Sequence, residues 1–179
     1  PTGPCDTREL WKKITARSLN RPIHDGLVCH GTHPVRAEGA KNLPLLREEA
    51  GPPQAAVTDK PLHDFTHSIY TLTPDCDRMA CRLAGPIIET VRGSDILSDG
   101  IAAGSVQVST NGQPIVMLAD HQTTGGYAKI STVISADLPM LAQLRPGQSV
   151  CFTFVTPQQA VQAARRQAEL LRAVAARLD

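Results

Sequence analysis

The stretch Asn111–Ile134, NGQPIVMLADHQTTGGYAKISTVI, sets two apolar runs, Ile115–Ala119 and Ile130–Ile134, on either side of a loop of hydrogen-bonding residues and glycine. Short apolar runs bounded by turn residues are the pattern of β-strands rather than of a helix. The loop, Asp120-His121-Gln122-Thr123-Thr124-Gly125-Gly126-Tyr127, closed by Lys129, is longer than a hairpin needs. It gathers carboxylate, imidazole, amide, hydroxyl, phenol and ammonium groups beside a glycine pair that lets a ligand or another backbone come close. Loops on rigid scaffolds carry function disproportionately. Two readings stand side by side here, a binding or catalytic loop and a decorated hairpin.

Working outward, the same texture of short strands and turn signals runs from His67 to Val155 and predicts a barrel or sandwich. Asn111-Gly112 is a strong hairpin signal joining Ser105–Ser109 to Pro114–Ala119. Before them come candidate strands at His67–Leu72, Met79–Leu83 and Ile87–Val91, with Pro74-Asp75 marking a turn and Arg92–Asp95 a polar loop. After Ile134, ADLPMLAQL reads as a short helix with Asp137 near its N-cap and Pro139 in its first turn. Arg145-Pro146-Gly147-Gln148 turns the chain into a last strand, Val150–Val155. Thr156-Pro157-Gln158-Gln159 then makes a capping box that opens an amphipathic C-terminal helix, with a stripe from Val161 to Leu178.

Residues 1–60 differ in holding half of the 14 prolines and in showing no sustained alternation. They predict an irregular leader, with Thr7–Leu19 as a possible short helix and Gly51-Pro52-Pro53 breaking any helix formed by LPLLREEA. The organisation expected is therefore a leader over 1–63, a barrel over 64–156 and a helix over 157–179. A formal net charge of +1 gives no argument for a nucleic-acid or membrane partner. Five cysteines, an odd number, without an apolar signal segment fit reduced thiols and a cytoplasmic location. Cys29-His30-x-x-His33 and His63-x-x-x-His67 lack the paired cysteines of a structural zinc site, so no metal site is expected.

Several ordered pieces carry a family resemblance: Asp77-Arg78-Met79 with Arg82-Leu83, Ser98-Asp99-Gly100, Gly104-Ser105-Val106-Gln107-Val108, Gly112-Gln113-Pro114-Ile115, Gln122-Thr123-Thr124-Gly125-Gly126-Tyr127, Lys129-Ile130 and Leu144-Arg145-Pro146-Gly147. Together, over about Thr66–Val155, they resemble the C-terminal half of the carboxyltransferase-like family. That family includes the C subunit of 5-oxoprolinase (KipA-type), allophanate hydrolase subunit 2 and the related region of urea amidolyase. The resemblance implies a mainly β, cyclophilin-like β-barrel. It departs from the family pattern at Ala80 and Cys81, usually Gly and Tyr, at His121, usually Arg, and at Ala128, usually Pro.

The function so implied is part of the C subunit of an ATP-dependent 5-oxoprolinase. That enzyme opens 5-oxoproline to L-glutamate, here in complex with partners resembling its B subunit (KipI-type) and its A subunit. ATP with Mg2+ would be shared with those partners. The alternatives are the carboxyltransferase component of a biotin-dependent urea carboxylase or amidolyase, and a non-catalytic KipA-type module that binds a KipI-type kinase inhibitor. Such chemistry needs cations and backbone N–H groups for anionic oxygens. The residues in place for it are Asp120, Lys129 and Thr124 as catalytic groups. Arg78, Gln122, Thr123, Gly125, Gly126 and Tyr127 would bind substrate. Local pairing is the competing reading: Lys129 with Asp120, Arg78 with Asp77, and Asp95 and Asp99 as loop caps. No Walker-type loop, GxSxG elbow or HExxH motif is present, so nothing makes the chain an ATPase by itself.

Overall fold

The computed structural model describes residues 43–50, 57–90 and 93–177. The expected Thr7–Leu19 helix and Cys29-His30-x-x-His33 lie outside the described residues. Residues 34–167 make one compact unit, while Ala168–Asp179 belong with residues 1–33 to a second. All the described strands fall in the first unit.

Eight strands follow one another as β1 (Leu45–Ala50), β2 (Ile69–Cys76), β3 (Ala80–Ala84), β4 (Asp95–Gly100), β5 (Ser105–Val108), β6 (Pro114–Met117), β7 (Thr124–Val133) and β8 (Ser149–Phe154). The helices are α1 (Asp59–Thr66), α2 (Leu138–Leu141) and α3 (Pro157–Ala175). The hydrogen-bonded order is β1-β8-β2-β3-β6-β5-β7-β4, and β1 also pairs with β7. That last pairing closes the sheet into a ring, so the expected mainly β barrel is present and most of its strand edges are removed. The first half of β7 carries β4 (Asp95↔Tyr127, Gly100↔Thr124), and its second half carries β5 and β1.

The strand that closes the ring corrects the reading of the leader. Leu45–Ala50 is neither irregular nor helical: it runs parallel to β8 (Leu46↔Phe152) and antiparallel to β7 (Glu48↔Val133). Asp59–Thr66, across the expected boundary at 64, is the helix α1, and its buried Phe65 stacks on Phe152 with ring centroids 4.6 Å apart. Tyr70 completes the aromatic group, 5.3 Å from Phe65. Inside the ring, Leu46, Leu72, Val106, Val116, Ile130 and Phe152 are all buried in one core. The His63 and His67 rings stack on each other at 3.8 Å.

Two other expectations change. Pro74-Asp75 does not end a strand but lies within β2, as an irregularity between Leu72 and Cys76, since proline has no N–H to keep the ladder in register. The turn comes later, where the Asp77 carboxylate accepts from the N–H groups of Met79 (2.7 Å) and Ala80 (3.0 Å). These bonds hold Asp77 below the usual carboxylate range. Ile87–Thr90, expected to be a strand, is irregular. Ile88 is nevertheless buried and donates its N–H to Gly112 O.

Other local signals are where the sequence put them. Val106↔Val116 pairing joins β5 to β6 across the Asn111-Gly112 hairpin. The capping box closes, Thr156 N–H donating to Gln159 Oε1 at 2.8 Å and Gln159 N–H to Thr156 Oγ1 at 3.3 Å. Asp137 does precede α2, but its carboxylate makes no cap. It accepts instead from Arg47 N (2.8 Å), Nε (3.0 Å) and Nη2 (2.6 Å), tying β1 to the turn before α2. Asp137 is 5% exposed. Asp137→Ala, which removes the shared acceptor of three partly buried Arg47 N–H bonds, is therefore expected to cost about 2 kcal/mol in urea unfolding. A loss no larger than that of an exposed pair, about 0.5 kcal/mol, would mean the clamp is ornamental.

Candidate functional site

The barrel sheet has a second surface, opposite the core. Cys81, Val116 and Val106 point into the core, so by alternation their neighbours Arg82, Ile115 and Gln107 face the other way. Register places them in one row: Arg82 opposite Ile115, Ile115 opposite Gln107, and Gln107 opposite Lys129. An irregularity in the β5–β7 ladder between Val106 and Gln107 brings Lys129 into that row, the kind of re-aiming that bulges provide beside functional sites. Ile101, Ile115 and Met117 form a small apolar cluster on this surface, with Ala80 and Tyr127 packed against it.

β4 lies along one side as a strap. All six of its residues are exposed, so backbone pairing with β7 holds it rather than an apolar face. Ile101, just after it, is buried and donates its N–H to Thr123 O at 2.9 Å. Lys129 fastens the strap, its Nζ lying 2.6 Å from both Asp99 Oδ2 and Gly100 O. The Lys129 side chain is 13% exposed and that of Asp99 69%. Lys129, and after it the Gly100 N–H, keeps the Asp99 carboxyl below its usual range.

Beside the β2–β3 turn lies an open cleft of about 480 Å³, and against the strap a smaller opening of about 300 Å³. Gln107, Gln122 and Tyr127 line both. Gln107 is 2% exposed, and its Nε2 meets no hydrogen-bond partner among the described residues. Gly125 leaves room for two side-chain ends: a Cβ there would stand 2.6 Å from Ile101 Cδ1 and 3.2 Å from Gln107 Nε2, so both would have to shift.

The structure gathers some of the expected residues and scatters others. Gln122, Gly125, Gly126 and Tyr127 line the openings, with Lys129 in register beside Gln107. Thr123 and Thr124 are exposed where β7 begins. Asp120 and Arg78 pair with each other at 2.8 Å and line neither opening. Local pairing did occur, but with other partners than expected: Lys129 takes Asp99 rather than Asp120, and Arg78 takes Asp120 rather than Asp77. The glycine pair forms no anion nest. Gly125 and Gly126 lie in β7, and neither is among the described glycines at positive φ. His121 Nδ1 is bonded to Gln122 O at 2.7 Å. Ala128 keeps an N–H that proline would lack and donates it to Ser94 O at 2.8 Å.

The sequence assigns Gln107 no role, offers Arg82 only beside Asp77-Arg78 as a second patch, and leaves Asp95 with Asp99 between a carboxylate pair and loop caps. By pattern Gln107 is the polar member of an alternating strand, a signal that points to solvent, yet in the folded chain it is 2% exposed. The larger opening carries two carboxylates, Asp75 and Asp77, and one guanidinium, Arg82, and the smaller one carries Asp95. Among the described residues Arg82 makes no ion pair. Such a lining suits a small polar ligand and does not make a triphosphate cradle. Each like charge brought to about 4 Å costs on the order of 4 kcal/mol near a protein surface.

The sequence model of the carboxyltransferase domain, subdomain A and B, matches residues 13–154. The chain belongs to the carboxyltransferase domain family. The match begins at residue 13, so the family pattern runs through the stretch expected to be a leader, and the resemblance extends further than the motifs that first carried it. Over 146 residues this carboxyltransferase domain is 38% identical to the 5-oxoprolinase C subunit of Haemophilus influenzae, covering 79% of this chain and 47% of that protein. The Escherichia coli protein of the same name is 35% identical over 147 residues, with 80% and 47% covered. The chain thus spans about half the length of the relatives it matches. Among solved structures, K. lactis urea amidolyase shares the fold, with a TM-score of 0.66 at 20% identity over 71% of this chain and 8% of that one. No described helix is long and apolar enough to cross a membrane.

Proposed function

We propose that this carboxyltransferase domain works as part of the C subunit of an ATP-dependent 5-oxoprolinase, with partners resembling the other two subunits of that enzyme. The observation that carries the reading is the 38% identity, over 79% of the chain, to a protein named as the C subunit of 5-oxoprolinase. The cleft on the outer surface of β3, β6, β5 and β7 is where the substrate sits. Arg82, rather than Arg78, meets the carboxylate of 5-oxoproline, since a guanidinium fork matches a carboxylate and Arg78 is taken by Asp120. Lys129 is a positioning residue that holds β4 against β7 through Asp99 and Gly100. Thr124 lies opposite Gly100 of the strap, where its hydroxyl is kept as a catalytic group. ATP and its Mg2+ are shared with the partner subunits, because the two openings offer the phosphates a single cationic side chain, Arg82.

The test is ATP-dependent release of glutamate from 5-oxoproline by the partner subunits together with a chimera. In the chimera, this chain replaces the aligned segment of the Haemophilus influenzae C subunit. Turnover is expected, with Lys129→Ala lowering kcat by about tenfold or more through loss of positioning. Thr124→Ala is expected to lower it as well. A chimera that folds and assembles yet releases no glutamate would overturn the reading. Dependence on a biotinylated carrier would replace it with the urea-type carboxyltransferase.

A further inference from the structure

We propose that Gln107 anchors a small, uncharged amide group, of lactam or urea type, by donating its Nε2–H to the ligand's carbonyl oxygen. For the lactam class this rests on the 5-oxoprolinase reading above; the anchoring role rests on the geometry of the cleft.

Three observations converge on it. Gln107 is 2% exposed, yet its Nε2 has no partner among the described residues, and a desolvated donor left unmet costs about 1–3 kcal/mol. The same residue lines both openings, so an oxygen placed between Gln122 and Tyr127 lies beside it. The residues around it also select the ligand's charge. The exposed carboxylates of Asp75 and Asp77 on the larger opening and of Asp95 on the smaller one disfavour a second anion at the mouths, whereas a neutral carbonyl accepts a hydrogen bond without that repulsion. Ile115 and Met117, which line the larger opening, supply the apolar surface that the ring carbons of a lactam would cover.

A structural role for Gln107 predicts something different. With Nε2 unbonded, Gln107→Leu removes no hydrogen bond of the donor and is expected to leave Tm unchanged or raised. Gln107→Glu keeps the shape but replaces the donor by an acceptor.

The experiment uses the full chain with two probes, 2-pyrrolidinone, a lactam without a carboxylate, and 5-oxoproline, which has both. Affinities are measured by NMR titration while the Gln107 side-chain amide resonances are followed. Saturable binding that shifts those resonances is expected, with both variants weakening both probes by about tenfold or more, the scale of one buried hydrogen bond. Binding of 2-pyrrolidinone through Gln107 without binding of 5-oxoproline would keep the anchor and sink the 5-oxoproline reading. Unchanged affinity in both variants, no binding of either probe, or a lower Tm with binding retained would overturn the anchor itself.

Discussion

Glu48→Gln is expected to stabilise the barrel by on the order of 4 kcal/mol at pH 8 while changing little below about pH 4.5. Glu48 lies in β1, fully buried, and accepts a hydrogen bond from Ser131 Oγ at 2.6 Å through Oε2. Its other oxygen, Oε1, has no partner among the described residues. Burial pushes its pKa from 4.5 up to about 8, against the smaller opposing effect of the Ser131 bond. Below 4.5 folded and unfolded chains both hold the proton. Between 4.5 and 8 the folded chain keeps a proton that the unfolded chain releases, so stability falls as pH rises, by about 1.4 kcal/mol per unit. Above 8 both states are ionised and the slope vanishes. An amide of the same shape never ionises, so the variant loses this slope. Asp77 and Asp99, whose pKa values are lowered, act in the opposite sense and at lower pH, losing their contribution as pH falls. Urea unfolding of both proteins across that range decides the matter. Parallel stability curves would mean that Glu48 is solvated or paired in the folded chain.

The same residue explains why β1 was hard to read. LLREEA carries three consecutive charged residues, a composition favouring an exposed helix or loop. What makes it a strand is tertiary: β8 on one side, β7 on the other, and hydrogen-bond partners for Arg47 and Glu48 in Asp137 and Ser131. β4 escaped for the converse reason. DILSDG has no buried face, so periodicity had nothing to detect; among the described residues it is tied to the backbone of β7 and to Lys129. By contrast, signals written in local chemistry came through. The Asn111-Gly112 hairpin and the Thr156–Gln159 box depend on residues within a few positions of each other. The site divides along the same line. Gln122 through Tyr127 announce themselves by composition, whereas Gln107 and Arg82 become neighbours only through Ile115, by the register of three strands.

Gly104→Ala is expected to cost about 3 kcal/mol or more, a large fraction of the stability of a domain this size. Gly104 sits at φ +88, where an L side chain is strained by about 1–2 kcal/mol. A Cβ there would press well inside contact distance on the Val133 carbonyl oxygen, and it would also meet Leu138 Cδ2 at 3.5 Å. The backbone has little freedom to retreat. Gly104 N–H donates to Met117 O at 2.8 Å and its carbonyl accepts from Val133 N–H at 2.9 Å, pinning the residue between β6 and β7. Gly147 is the control: it has φ +87, but a Cβ there would meet nothing within 4 Å, so Gly147→Ala carries the backbone strain alone, about 1 kcal/mol. Equal losses in the two variants would show that the carbonyl contact is relieved by a small shift and contributes nothing. Any such shift is also felt at the cleft, because Gly104 leads directly into β5. A variant that folds but has moved β5 to make room would displace Gln107. Weakened lactam binding, out of proportion to that in Gly147→Ala, is then the expected companion of the lost stability.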